Sequence, residues 1–519
     1  MSFKVTYSVL NADLSELHAE FEKAMAQVRT RLGEEFPSWI DGKAFQSGRF
    51  LEDRNPAKTP ELLARFHTVA PAELERVLEA ATKAQRSWGS TPWKKRAEII
   101  RRAADLISER KLELSAIMCL ETGKNRLESL GDVEESADLF RYYAGQLEET
   151  NGFLKPLAQL SPNENTRSVL RPYGVFAVIS PFNFPLALAA GMSGAALLGG
   201  NSVVIKPSSE TPWCGHKLYE CLRDAGLPEG VFQVVYGGGG SLGDALVKHP
   251  KIAGLAFTGS KEIGMQLMRA LSVDYPKPAL LEMGGKNAAI VCAKANVEHA
   301  VEGSMRSAFS LTGQKCSALS RVYVHRSVKD EFLKKLVEKT QLLPIGDPAL
   351  RDTYVGPLIN EKAWSRHRAA LADAQTDGRV LTGLDDAKAR PGLSEGHFVT
   401  PVIAELPRGH RLFQDELFSP FLVVDTFDTL PEAVQEANHS QYGLTAGIFS
   451  ESKEDVEYFM QNMEAGVLYS NRQTGATTGA WPGVQSFCGW KGSGSTGKGG
   501  CGPYYVSQFM REQSQTRMS

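Results

Sequence analysis

The chain has 519 residues and a formal net charge of −2 with no run of like charges. That excludes the basic patch which nucleic-acid or membrane-surface binding requires. Hydrophobic residues make up 42% of the chain, enough for substantial cores, and its length predicts roughly two to four domains. No apolar run approaches the length of a bilayer span. Met1-Ser2-Phe3-Lys4-Val5 opens no signal-peptide apolar region, and Asp13, Glu16, Glu20 and Glu22 are foreign to a transit peptide. The seven cysteines (Cys119, Cys214, Cys221, Cys292, Cys316, Cys488 and Cys501) form no CxxC pair and no metal spacing. Reduced thiols, a cytoplasmic location and no metal are the expectation.

In chain order, residues 1–50 read as an added N-terminal segment. Leu17, Phe21, Met25, Val28 and Leu32 fall at helical spacing between Leu14 and Leu32, which predicts a surface helix. A second apolar face runs through Leu74, Val77, Leu78, Ala81 and Trp88, and helical pattern continues to Leu147. Phe153 to Tyr173 is polar and extended. Four strand-like runs then alternate with helices. Val175–Ile179 precedes Leu186–Leu198, and Ser202–Ile205 precedes Trp213–Ala225. Val231–Tyr236 precedes Ser241–Lys248, and Ile252–Phe257 precedes Glu262–Leu271. This order predicts an α/β fold with a parallel sheet covered on both faces, its ligands at the carboxyl ends of the strands. A second βα-rich region runs from Leu280 to Asn471, with a glycine- and serine-rich stretch after Thr474 and a final strand over Tyr504–Gln513.

Three segments carry chemistry. Ser180-Pro181-Phe182-Asn183-Phe184-Pro185 ends a strand, its two prolines fixing a loop that presents an amide. Glu282-Met283-Gly284-Gly285-Lys286-Asn287 puts a carboxylate at another strand end, where the glycines allow close backbone approach. Thr312-Gly313-Gln314-Lys315-Cys316-Ser317 holds one cysteine on a turn after a helix-like run, beside a lysine, a setting that predicts a lowered thiol pKa. A thiol, a carboxylate and an amide suffice for one mechanism: thiolate attack on a carbonyl, oxyanion stabilisation, and activation of water against a thioester.

These segments, with Lys206-Pro207, Phe257-Thr258-Gly259-Ser260 and Glu416-Leu417-Phe418, stand in the order found in the aldehyde dehydrogenase superfamily, which the chain resembles from about Arg54 to its end. The resemblance implies a Rossmann-type cofactor domain (51–150 and 173–280), an α/β catalytic domain (281–484) and a small β oligomerisation arm (151–172 and 497–519) that bridges subunits. It further implies catalysis by Cys316, Glu282 and Asn183. The cofactor would be NAD, held by Ser180, Pro181, Phe182, Lys206, Ser209, Gly243, Gly259, Ser260, Glu416 and Phe418. Gly238-Gly239-Gly240-Ser241-Leu242-Gly243 also fits the dinucleotide fingerprint after a strand. The resemblance instead favours the helix after Ser260 for the pyrophosphate, leaving the glycine run at the adenosine end. Ser209 stands where NAD-preferring relatives carry glutamate, so NADP is expected to be tolerated.

Within the superfamily the chain resembles the branch that oxidises L-glutamate γ-semialdehyde to L-glutamate in proline catabolism. The similarity lies in Phe140-Arg141-Tyr142-Tyr143-Ala144, in Gln314 to Ala318, and in Thr478-Gly479-Ala480 followed by Gln485-Ser486-Phe487 and Gly489-Trp490-Lys491. Cys488 and Ser419 depart from the resemblance: glycine is usual in the family at the first position and common in the superfamily at the second. The resemblance implies substrate contacts from Ser317, Gly479, Ala480 and Phe487. The same triplet occurs earlier as Thr474-Gly475-Ala476, and the later copy is chosen for its distance to Phe487. No arginine is evident beside these motifs, so neutral donors are expected to hold the α-carboxylate. A homodimer or larger homo-oligomer is expected, with the arm and the tail pairing across subunits. The alternatives are another aldehyde, such as succinate semialdehyde, or a non-catalytic protein of this fold.

Overall fold

The computed structural model describes residues 15–518. The N-terminal helix α1 spans Ser15–Arg29 and buries Phe21, Ala24, Met25 and Val28, the face its apolar spacing marks. Its expected first residue, Leu14, lies outside the described residues, as do Met1–Val5, Asp13 and Ser519. No helix among the described residues is long and apolar enough to cross a membrane.

The first sheet has seven strands. In chain order these are β1 (Ser38–Ile40), β2 (Lys43–Phe45), and, after the ribbon described below, β5 (Val175–Ile179), β6 (Ser202–Lys206), β7 (Phe232–Val234), β8 (Ile252–Thr258) and β9 (Ala279–Glu282). Their spatial order is β9-β8-β5-β6-β7-β1-β2. The five strands from β9 to β7 run parallel, and β1 and β2 close the edge antiparallel. Every residue of β5 and β6 is buried, as a strand covered on both faces requires. Helices covering this sheet include α2 (Arg126–Glu149), α3 (Ala187–Leu198) and α4 (Pro212–Asp224), while α5 (Lys261–Leu271) follows β8.

The second sheet is built from β10 (Asn287–Val291), β11 (Leu319–His325), β12 (Arg379–Thr382), β13 (Val402–Glu405), β14 (Phe421–Phe427), β15 (Thr445–Phe449) and β16 (Val467–Ser470). The order is β12-β13-β14-β11-β10-β15-β16, parallel except at β12. Helix α6 (Val297–Phe309) packs on one face and leads into the cysteine turn. Four residues, Met283 to Lys286, separate β9 of the first sheet from β10 of the second. The Glu282 segment therefore sits where the two sheets meet.

The ribbon consists of β3 (Leu154–Pro156), β4 (Glu164–Pro172) and β17 (Met510–Met518) in the order β17-β4-β3, all antiparallel. This corrects the expected pairing across subunits. The tail pairs with the arm of its own chain, from Met510 opposite Pro172 to Met518 opposite Glu164. The final strand also begins later than expected, because Val506–Phe509 forms a helical turn that buries Val506 and Phe509 against the core.

Candidate active site

Where the two sheets meet lies a cavity of about 350 Å³. Cys316, Glu282, Ser317, Gly479, Ala480 and Phe487 all line it, although they come from segments far apart in the chain. Asn183 is buried, and its neighbour Phe184 reaches the wall. Of the repeated triplets, Gly479 and Ala480 face the cavity, whereas Ala476 is buried and its N–H donates to Gly303 O at 3.0 Å.

The nucleophile turn is held in a conformation its sequence disfavours. Leu311 and Thr312 have φ of +48° and +55°, which costs on the order of 1–3 kcal/mol per residue. Surrounding bonds offset that cost. Leu311 N–H donates to Glu128 Oε1 at 2.7 Å, Thr312 Oγ1 donates to Gly356 O at 3.1 Å, and Gln314 Oε1 accepts from Ile359 N–H at 2.9 Å. Asn287 Nδ2 donates to the carbonyls of Cys316 and Ala318 at 2.7 and 2.8 Å, and Thr477 Oγ1 donates to Ser317 O at 2.7 Å. The glycines between Glu282 and Asn287 leave room for this approach. A Cβ on Gly285 would lie 2.4 Å from Cys316 O, and one on Gly284 would overlap the Glu416 carboxylate.

The thiol is not a low-pKa nucleophile in this state, contrary to expectation. Burial, Glu416 and Glu282 push Cys316 up to about 12, against a smaller pull from the backbone N–H groups of Ser317 and Cys316. Lys315 gives no relief, because its Nζ donates to Ser310 Oγ at 2.8 Å and stands 3.5 Å from Glu128 Oε1. Burial also holds the Glu282 carboxyl well above the usual range, and its Oε2 makes no hydrogen bond within the protein. Such a group is a stronger base than a surface glutamate once ionised.

The expectation of a cavity without arginine is also corrected. Arg126, Arg306 and Arg351 line it, and Arg472 Nη2 donates to Gly479 O at 3.2 Å. Three of these are engaged elsewhere, Arg351 with Ser15 Oγ at 3.4 Å. Arg126 donates to Ala349 O and Glu22, and Arg306 to Glu302. Glu128 and Glu135 line the cavity too, and Glu128 Oε2 is buried without a hydrogen bond. Sequence reasoning missed these side chains because Arg126, Glu128, Glu135 and Arg306 lie within helical patterns and Arg351 and Arg472 in loops outside the motifs.

A second cluster lies at the carboxyl ends of the first sheet's strands. Lys206 ends β6 buried, its Nζ donating to Pro207 O at 2.9 Å, and burial lowers it to about 8. Gly243 lies beside it, where a Cβ would sit 3.5 Å from Lys206 Cε. Ser209 Oγ donates to Gly237 O at 3.3 Å. Ser260 caps α5 by accepting from Ile263 N–H at 3.4 Å, and Gly259 N–H donates to Glu282 O at 3.1 Å. Ser180 Oγ is buried without a partner. Glu416 is half-buried, accepts from Gly285 N–H at 2.9 Å and is raised to about 7, chiefly by desolvation. Phe418, at φ +55°, meets Phe182 edge-on with ring centroids 5.7 Å apart. Gly239 and Gly240 have nothing within 4 Å of where a Cβ would be. An open glycine turn, an unpartnered hydroxyl, a capped helix N-terminus, a buried lysine and a half-buried glutamate fit a dinucleotide.

The sequence model of the aldehyde dehydrogenase family matches residues 39–514. The chain belongs to the aldehyde dehydrogenase family. Among curated members, the 1-pyrroline-5-carboxylate dehydrogenase 1 of Halalkalibacterium halodurans is 36% identical over 504 residues, 96% of this chain and 96% of that one. A Thermus 1-pyrroline-5-carboxylate dehydrogenase solved with bound NAD superposes with a TM-score of 0.92 at 31% identity, covering 100% of this chain and 99% of the other. Proline utilization A of Bdellovibrio bacteriovorus superposes with a TM-score of 0.92 at 34% identity over 96% of this chain. That match covers 52% of the longer protein, so this chain spans about half its length.

Proposed function

We propose that this aldehyde dehydrogenase oxidises L-glutamate γ-semialdehyde, the open form of Δ1-pyrroline-5-carboxylate, to L-glutamate with NAD. The observation that carries the reading is the meeting of Cys316, Glu282, Ser317, Gly479 and Phe487 around one cavity, in a chain with full-length relatives named for that substrate. The first sheet serves as the cofactor unit and the second as the catalytic unit.

The Cys316 thiol gives up its proton to solvent water as Sγ forms a bond to the aldehyde carbon and the carbonyl π pair moves onto oxygen. The Asn183 amide and the Cys316 N–H donate to the oxygen, which carries the negative charge. NAD held at the first sheet would supply the hydride acceptor, and loss of hydride from this carbon leaves Cys316 as a thioester. Glu282 then takes a proton from water, the water oxygen attacks the thioester carbon, and the carbon–sulfur bond breaks to release the acid. Lys206, Ser209, Gly243 and Ser260 would hold the adenosine and pyrophosphate of the cofactor, and Glu416 its second ribose, with Phe418 and the Ser180–Phe182 loop alongside. Ser209 leaves space for a 2′-phosphate, so NADP is tolerated.

The substrate end fits an amino acid. Ser317 and the backbone N–H groups of Gly479 and Ala480 offer neutral donors to the α-carboxylate, with Arg472 behind Gly479. Glu128 offers a free carboxylate oxygen to the α-ammonium. Succinate semialdehyde lacks that ammonium and leaves Glu128 unanswered. Copies of the chain associate through the β17-β4-β3 ribbon, and the enzyme works in the cytoplasm. Cys316→Ala should abolish NADH and glutamate formation while NADH still binds. Comparable loss from replacing buried Cys292 instead would refute the assignment.

A further inference from the structure

Beneath the cavity wall lies an ion pair for which the reaction has no chemical use. Lys124 Nζ and Asp132 Oδ2 are 2.6 Å apart, and neither side chain has any solvent exposure. Taking two such charges out of water is costly, and well-packed apolar side chains often serve stability as well or better. What the pair touches is specific. The Lys124 ammonium lies 3.8 Å from the ring centroid of Phe184, on the residue after Asn183. Asp132 Oδ1 accepts from the N–H of Ala187, the first residue of α3, at 2.8 Å. Pro185 stands between these two points. The pair thus grips both sides of the turn that follows Asn183, one side through a ring face and the other through a backbone bond.

We propose that Lys124 and Asp132 are positioning residues that clamp the Phe184–Ala187 turn and thereby aim the Asn183 amide at the oxygen of the bound aldehyde. The inference rests on the oxyanion role given to Asn183 above. Phe184 lines the cavity, so without the cation on its buried face the ring and the residue before it can shift together. A cation over a desolvated ring resists that shift directionally in a way an apolar contact does not. Misplacing a reacting group by about 1 Å can cost about a hundredfold in rate.

The test is a cycle of variants read by the rate constant of the pre-steady-state NADH burst. Lys124→Met/Asp132→Asn is neutral and keeps an acceptor for Ala187. It should lower that constant about ten- to a hundredfold, while the Kd for NADH, set at the Lys206–Glu416 end, stays unchanged. Asn183→Ala should cost about 10²- to 10³-fold in the native protein and clearly less in the double variant, because the clamp acts through the same amide. An equal factor in both backgrounds overturns the clamp alone. No effect of Asn183→Ala in the native protein overturns the oxyanion role and the clamp with it. If the double variant does not accumulate as folded protein, Lys124→Arg enters the same cycle, since it keeps the charge but moves it off the ring. An unchanged burst constant there overturns the proposal as well.

Discussion

Lys315 and Cys316 are adjacent in the chain, yet the ammonium does not serve the thiol: it donates to Ser310 at 2.8 Å and faces Glu128 at 3.5 Å. With Glu282 and Glu416 nearby and burial dominant, the thiol is held in its protonated form. Attack on a carbonyl therefore has to be accompanied by loss of the thiol proton.

This has a direct pH signature. A thiol pushed up to about 12 is almost wholly protonated at neutral pH, and its thiolate fraction rises about tenfold per pH unit below that value. Alkylation of Cys316 by iodoacetamide in the cofactor-free enzyme, followed by peptide mass spectrometry, should climb from pH 7 to 10 without levelling. A plateau near pH 8 would show a thiol that is already activated.

Glu282 is proposed to act after the hydride has left. Glu282→Gln should give a full NADH burst followed by turnover slowed about 10²- to 10⁴-fold. In the native enzyme the carboxyl is raised by burial, so it is protonated below its shifted pKa. Thioester hydrolysis should then quicken as pH rises through that raised pKa, and the variant should lose that dependence. A vanished burst would place Glu282 earlier, as the base for Cys316.

Ser317 is assigned to the substrate carboxylate. A hydrogen bond to a charged group contributes about 1.5–3 kcal/mol, so Ser317→Ala should lower kcat/KM for the semialdehyde about ten- to a hundredfold. Propanal, which has no carboxylate, should lose far less. Equal losses for both would make Ser317 a support for Cys316.

The first sheet was legible because Val175–Ile179, Ser202–Ile205 and Ile252–Phe257 are short apolar runs separated by helical spacing, and their strands match to within a residue. The cysteine turn was legible in position and not in shape. Leu311 and Thr312 carry no glycine signal for a left-handed backbone, and they are held there by Glu128, more than 180 residues away, on Leu311 and by Gly356 on Thr312. The arginines and glutamates of the cavity were invisible for a related reason. Arg306 and Glu128 sit within helical patterns, and only the packing of the two sheets turns them toward one space. The tail was legible as a strand, but its partner was not, since antiparallel pairing with the arm is equally compatible with one chain or two.

A cavity that offers donors to an α-carboxylate and Glu128 Oε2 to an α-ammonium should select an amino acid. The most direct measurement is kcat/KM, by NADH absorbance, for L-glutamate γ-semialdehyde, succinate semialdehyde and propanal on the same preparation. L-Glutamate γ-semialdehyde should exceed both others by at least about tenfold, one charge-assisted contact being worth about 1.5–3 kcal/mol. Succinate semialdehyde oxidised as well or better would contradict the account.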